Sequence, residues 1–268
     1  MPLPPLNDRK YLEKQYQDST NLQARLSLHE RFSVNKYGWH KWVFDQIDLP
    51  AQCRILELGC GPGQLWHENI QRIPAGWEIT LSDFSAGMLE ETRRNLEKQR
   101  RFQFKVIDAQ SIPLESGSFN AVIANHMLYH VPDRSLALAE IRRVLRPAGH
   151  FYAATNGERH MLEMAELIGR FTGEPASWER GTDPFTLENG PAQLSAWFTK
   201  IKLYRYESSL EVTEAAPLVN YIQSCRLRIP LERREQFRQF VEHELESHGG
   251  VFHVTQDGGL FVSVPKGE

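Results

Sequence analysis

The chain has 268 residues, 41% hydrophobic and 24% charged, which suits a globular protein large enough for one sizeable domain. Thirty-one Lys and Arg against 34 Asp and Glu leave a formal charge of −3, so no basic excess exists to offset the phosphates of a nucleic-acid partner. No apolar run nears the roughly 20 residues of a membrane span, the Met1-Pro-Leu-Pro-Pro start lacks the features of a secretory signal, and Cys53, Cys60 and Cys225 show no disulfide spacing, so a cytoplasmic protein is expected.

Residues 1–50 are helical in tendency, with Phe32, Tyr37, Trp39, Trp42 and Phe44 clustered late, and read as a helical cover. Strand and helix signals then alternate across 51–156. Arg54–Leu58 reads as a buried strand closed by Gly59, and Leu65, Trp66, Ile70 and Ile73 follow at helical spacing. Glu78–Ser82 is a second strand, after which Ser85 can cap a helix carrying Met88, Leu89 and Leu96. Phe102–Ile107 and Phe119–Ala124 are the third and fourth strands. Asp133 opens a helix that Pro147 and Gly149 end, and His150–Thr155 is the fifth strand. Such alternation predicts an α/β fold, a mostly parallel sheet doubly wound by helices. The rest is less regular. Residues 157–247 read as insertions around a strand at 197–206, with helix over 214–247, and 248–268 reads as a closing hairpin turning at Asp257-Gly-Gly. A single domain over 1–268 is the economical organisation.

Chemistry concentrates at the strand ends. In Ile55-Leu-Glu-Leu-Gly-Cys-Gly-Pro-Gly-Gln64, a buried strand delivers Glu57, and Gly59, Gly61 and Gly63 let the backbone turn close beside a ligand. Gln64 stands where the dinucleotide fingerprint has its third glycine, and no Lys-Ser/Thr pair follows, so a pyrophosphate cradle is disfavoured. An acid before the turn attracts a cation instead. Asp83 ends the second strand, where a carboxylate can accept both hydroxyls of a ribose, and Phe84 beside it can lie on an adenine face. Asp108 ends the third and can accept from an adenine amino group. Taken singly, a strand-end Asp is as readily a cap or turn former. Three acids at three successive strand ends point jointly to an adenosine site with an acid near a positively charged tail.

Glu-Leu-Gly-Cys-Gly-Pro-Gly, Ser-Asp-Phe-Ser-Ala-Gly-Met-Leu, Asp-Ala-Gln-Ser-Ile-Pro-Leu, Phe-Asn-Ala-Val-Ile-Ala-Asn-His-Met-Leu-Tyr-His-Val and Glu-Ile-Arg-Arg-Val-Leu-Arg-Pro-Ala-Gly together resemble class I S-adenosylmethionine-dependent methyltransferases, in the branch that acts on small molecules. The likeness covers about 53–156 and extends weakly to the final strands. It implies a seven-stranded sheet with an antiparallel last strand and S-adenosyl-L-methionine as cofactor. By position it implies that Glu57, Gly59 and Gly61 border the methionine part, Asp83 binds ribose and Asp108 with Ala109 meets adenine. Asn125 and His126 would lie near the methionine amino group and the methyl, and Cys60, Met88 and Gln110 complete the cofactor-binding set.

The implied reaction is in-line methyl transfer to a small organic acceptor, yielding S-adenosylhomocysteine. His126 is the first candidate for a general base, although a lining role without proton transfer weighs slightly more; His130 reads as a loop anchor. No His, Cys or carboxylate cluster suggests a metal. Substrate-side candidates are Arg25, His29, Phe32 and Trp39 from the cover, and His160, Trp178, Phe185 and Tyr221 from the insertions. Two alternatives stay open: a noncatalytic sensor of S-adenosylmethionine, and a nicotinamide-dependent oxidoreductase. The sequence carries no expectation for oligomeric state.

Overall fold

A computed structural model describes residues 5–96, 101–174, 185–225 and 229–267. Three helices open the chain: α1 (Arg9–Gln15), α2 (Thr20–Phe32) and α3 (Trp39–Asp45). The alternating stretch follows as β1 (Gln52–Leu58), α4 (Gln64–Glu68), β2 (Gly76–Asp83), α5 (Ala86–Leu96), β3 (Phe102–Val106), β4 (Phe119–Asn125), α6 (Arg134–Val144) and β5 (Leu145–Asn156). Beyond it come α7 (Leu162–Thr172), α8 (Gly190–Leu194), β6 (Phe198–Val212), α9 (Ala215–Ser224), α10 (Arg234–Ser247) and β7 (Phe252–Pro265). No helix among the described residues is long and apolar enough to cross a membrane.

The sheet has seven strands in the order β3-β2-β1-β4-β5-β7-β6. Strands β1 to β5 pair in parallel, and β7 runs antiparallel to both β5 and β6, as expected of the last strand. The central strands are apolar through their length because helices cover both faces. One face buries Leu56, Val122, Phe151 and Phe261 under α6; the other buries Ile55, Ile79, Ile123 and Tyr152 under α3 to α5. Local signals begin the helices where the sequence indicates, but α6 ends at Val144, and Pro147 and Gly149, expected to stop it, lie inside β5. Ser85 Oγ accepts from Met88 N (3.2 Å), and Asp133 accepts from Leu136 N (2.9 Å) at the start of α6.

Two further expectations need correction. The segment 248–268 is not a hairpin but contains one continuous strand, β7. Gly258 pairs with Asn156 on one side and Tyr206 on the other, and Gly259 with Thr155 and Arg205, so both are extended inside the sheet. Their smallness serves close approach: a Cβ on Gly259 would lie 2.7 Å from the Tyr204 carbonyl oxygen. A Gly pair between apolar runs reads identically in either setting. Likewise 214–247 is two helices, α9 and α10, separated by a break that includes Pro230, and the strand expected at 197–206 continues to Val212.

Past the end of β5, β6 and β7 continue as a two-stranded arm, Glu207–Val212 against Phe252–Asp257. This arm carries a third apolar cluster, in which Leu28 and Phe32 of α2 meet Leu210, Leu218, Ile222 and Phe237. The cover is therefore built onto the arm. Ser85 Oγ, between β2 and α5, donates to the Tyr16 carbonyl (2.8 Å) and ties the cover to the parallel half, while Gln15 Nε2 donates to the Ser224 carbonyl (2.6 Å) and ties it to α9.

Candidate active site

The carboxyl ends of β1 to β4, the cover helices and the arm enclose one cavity of about 1200 Å³. Its floor is the strand-end row. Gly59, Gly61 and Gly63 all take positive φ (66°, 53° and 85°), and a Cβ at Gly59 would lie 2.7 Å from Met127, so this turn requires glycine. Asp83 is buried at the end of β2. Its Oδ2 accepts from Gly61 N (3.0 Å) and its Oδ1 from Ser85 N (2.9 Å). An ionised carboxylate offers about four acceptor positions, so these backbone bonds, with a further one from Phe84, fix the group and still leave it acceptor capacity. Burial pushes the Asp83 carboxyl above its usual range despite those bonds.

Glu57, also buried, accepts from Trp66 Nε1 (2.5 Å). Burial pushes its carboxyl up to about 8, with the charge of Asp83 adding to the effect against the Trp66 hydrogen bond. Asp108 follows β3 and accepts from the backbone N (2.9 Å) and side-chain amide (3.0 Å) of Gln110, whose own carbonyl accepts from Asp133 N (2.9 Å). Gln110 thus braces the loop with both ends of its amide. Phe84, Met88, Ala109, Cys60, Asn125 and His126 all line the same cavity. Burial raises the Cys60 thiol well above its ordinary range, which makes it inert.

The last residue of β4 and the one after it close the floor. Asn125 Oδ1 accepts from Trp39 Nε1 of the cover (3.1 Å). His126 takes a left-handed backbone (φ 57°), with its ring 4.8 Å from that of Trp39. Burial lowers its imidazole to about 3, with the neighbouring His40, His29 and His130 adding to the effect, so the ring is neutral. His130 anchors more than its loop. Its Nδ1 faces the Leu6 carbonyl (3.1 Å), so Nδ1 carries the hydrogen, and Nε2 accepts from the Tyr16 hydroxyl (2.8 Å).

Of the residues expected on the substrate side, Arg25, His29, Trp39, His160, Phe185 and Tyr221 line the same cavity. Phe32 does not join them: it lies in the apolar cluster under the arm, with Arg31 across its ring, because its place on α2 turns it toward β6 and α9. Trp178 falls outside the described residues. Sequence reasoning missed Tyr16, Trp66 and Gln256. Trp66 was visible as an apolar helix position, but its hydrogen bond to Glu57 had no signal. Tyr16 and Gln256 act on residues 114 and 227 positions away.

A methyltransferase-domain family profile matches residues 56–153. The core of this chain is a class I S-adenosylmethionine-dependent methyltransferase domain. The chain is 33% identical over 114 residues to a ubiquinone/menaquinone biosynthesis C-methyltransferase of Desulfotalea psychrophila, covering 41% of this chain and 44% of that protein. It is 30% identical over 169 residues to a ubiquinone biosynthesis O-methyltransferase of Xanthomonas oryzae pv. oryzae, covering 60% and 66%. Among solved structures, the [4+2]-cyclase SpnF superposes with a TM-score of 0.60 over 100% of this chain and 99% of its own, at 18% identity, a likeness of fold. This methyltransferase-fold chain spans 31% to 66% of the length of the curated relatives it matches.

Proposed function

We propose that the protein transfers the methyl group of S-adenosylmethionine to a small organic acceptor by in-line displacement, releasing S-adenosylhomocysteine. The observation that carries this reading is the row of Glu57, Asp83 and Asp108 at the ends of three adjacent strands, all on one cavity beside the Gly59–Gly61 turn. The donor chemistry fits these residues. Asp83 retains acceptor capacity for a ribose hydroxyl, Asp108 is held rigid for an adenine amino group, and Glu57 is an acid awaiting a cation. When bound, the cofactor supplies an activated methyl and a good leaving group.

The chain's part is then to orient and to exclude water. Alignment of two bound reactants is worth up to ~7–11 kcal/mol in favourable cases. Trp39, held by Asn125 and packed on His126, closes the floor over the transfer locus. His126 in our reading positions rather than deprotonates, since an imidazole lowered to about 3 is a weak base near neutral pH. The names of the curated relatives, C- and O-methyltransferases of quinone biosynthesis, support an organic acceptor. The balanced charge and three buried thiols support a cytoplasmic enzyme with no nucleic-acid partner.

Calorimetry with S-adenosylhomocysteine and with NAD, followed by incubation with methyl-labelled donor and a fractionated metabolite extract, tests the proposal. Saturable binding of the first ligand alone and label in a small product are expected. Tight NAD binding with indifference to S-adenosylhomocysteine would replace the reading by a nicotinamide enzyme. Binding without any transfer would replace it by a sensor.

A further inference from the structure

The cavity contains a cation that the donor-binding residues leave unused. Arg25 projects from α2 onto the cavity, and its Nε donates to the Asn21 carbonyl (3.3 Å). The guanidinium lies 5.5 Å from the centre of the Tyr16 ring. Its Nη2 is buried with no hydrogen-bond partner among the described residues, and no carboxylate there pairs with it. Arginine cannot shed its proton, so a buried N–H of this kind is costly until something accepts from it.

Two imidazoles on the same cavity, His29 near Arg25 and His160 stacked on His29, are set as donors by their neighbours. Gln256 Oε1 accepts from Ser33 Oγ (3.2 Å), so its amide Nε2 faces His29 and donates to Nδ1. The Asp257 backbone N donates to His160 Nδ1 (3.3 Å). With each Nδ1 lone pair engaged and each ring neutral, the hydrogen sits on Nε2. The two rings stack 6.3 Å apart. His160 and His126 line the same cavity, so this wall and the proposed transfer locus face one space.

We propose that Arg25, with His29 and His160, forms the acceptor subsite and that it takes a carboxylate, making the methyl acceptor a small organic acid. The wall presents N–H donors with a single positive charge, which matches a monoanion. A phosphate would bring a second charge, and the other cations on the cavity, Arg9, Lys36 and Lys41, are exposed at its margin. Tyr221 packs edge-on against His29 at 5.9 Å, and with Leu26 and Phe185 on the same cavity it suits the organic body. That the anion is the methyl acceptor rests on the methyl-transfer reading; that the wall binds an anion does not.

The test uses the full chain saturated with S-adenosylhomocysteine, titrated calorimetrically with acetate, butyrate and benzoate and with their amides. Saturable heat from at least one acid and none from its amide is expected, weakened at least tenfold in Arg25→Gln and partly restored in Arg25→Lys. Separately, transfer of labelled methyl is measured on extract fractions retained or unretained by an anion exchanger, with activity expected in the retained fraction and lost with Arg25→Gln. No heat from any acid, equal heat from acid and amide, transfer confined to the unretained fraction, or an Arg25→Gln protein that binds and transfers as the parent does would each overturn the subsite. Failure of S-adenosylhomocysteine to bind, or absence of transfer from both fractions while acids still bind, would instead count against the methyl-transfer reading and leave the anion site standing. S-adenosylhomocysteine affinity of each variant shows whether a loss reflects misfolding.

Discussion

Asp83 holds the glycine turn and the start of α5 together through two backbone N–H groups while keeping acceptor positions for a ligand. Hydrogen bonds to a charged group are worth about 1.5–3 kcal/mol each. Asp83→Ala is therefore expected to weaken S-adenosylhomocysteine binding at least tenfold, read by calorimetry. Glu57 makes a sharper prediction. Its carboxyl sits near 8 in the free protein, and a cationic donor lowers it by favouring the ionised form. Affinity for S-adenosylmethionine should rise with pH up to about 8 and then level off, with proton release seen as buffer-dependent heat. Glu57→Gln should flatten that profile. These residues were legible because an acid closing a buried strand is conspicuous in sequence. Trp66 and Tyr16 were not, because what gives each its role is a partner brought near only by folding.

At the level of elements, the parallel half announced itself through apolar strands, caps and breakers acting within a few residues of each other. The distal third did not. Helices α9 and α10 and strands β6 and β7 take their faces from one another, and their apolar cluster draws on residues from 28 to 254. The Asp257-Gly-Gly segment shows the ambiguity best: turn chemistry and close strand packing both favour glycine. The two are separable by experiment. Gly259→Ala would press its methyl on the Tyr204 carbonyl oxygen, with Leu187 and Leu203 at 3.1 Å. Overpacking of this sort costs about 1–3 kcal/mol, so a lowered melting temperature is expected, where an exposed hairpin tip would tolerate the change.

Across the whole molecule, the buried titratable groups set opposing demands on pH. Glu57, raised to about 8 from an ordinary 4.5, contributes stability that is complete below 4.5 and lost as pH climbs to 8. Asp83, also raised, acts in the same sense from 3.8 upward. His29 and His130 (about 4), His126 (about 3) and His160 are held below 6.5, chiefly by burial, so their contribution is complete above 6.5 and lost as pH falls toward 3–4. Four imidazoles outnumber two acids below 6.5, while Glu57 alone continues to act toward 8. Thermal unfolding of the ligand-free protein should accordingly peak near pH 6.5 and fall more steeply on the acid side. The cover is the other whole-molecule feature. Tyr16→Phe removes the hydroxyl that His130 Nε2 accepts from, and should speed amide hydrogen exchange in α1 and α2 while leaving β1 to β5 protected.

Strand β7 serves both halves of the cavity. Its Gly258 and Gly259 lie between β5 and β6, and two residues earlier Gln256 and Asp257 orient His29 and His160. The two histidines are thus placed against the sheet by the rise of a single ladder. Grafting the 157–247 region onto a cousin to change its selectivity would fail unless the ladder came along in register, since slipping one pair would aim Gln256 away from His29.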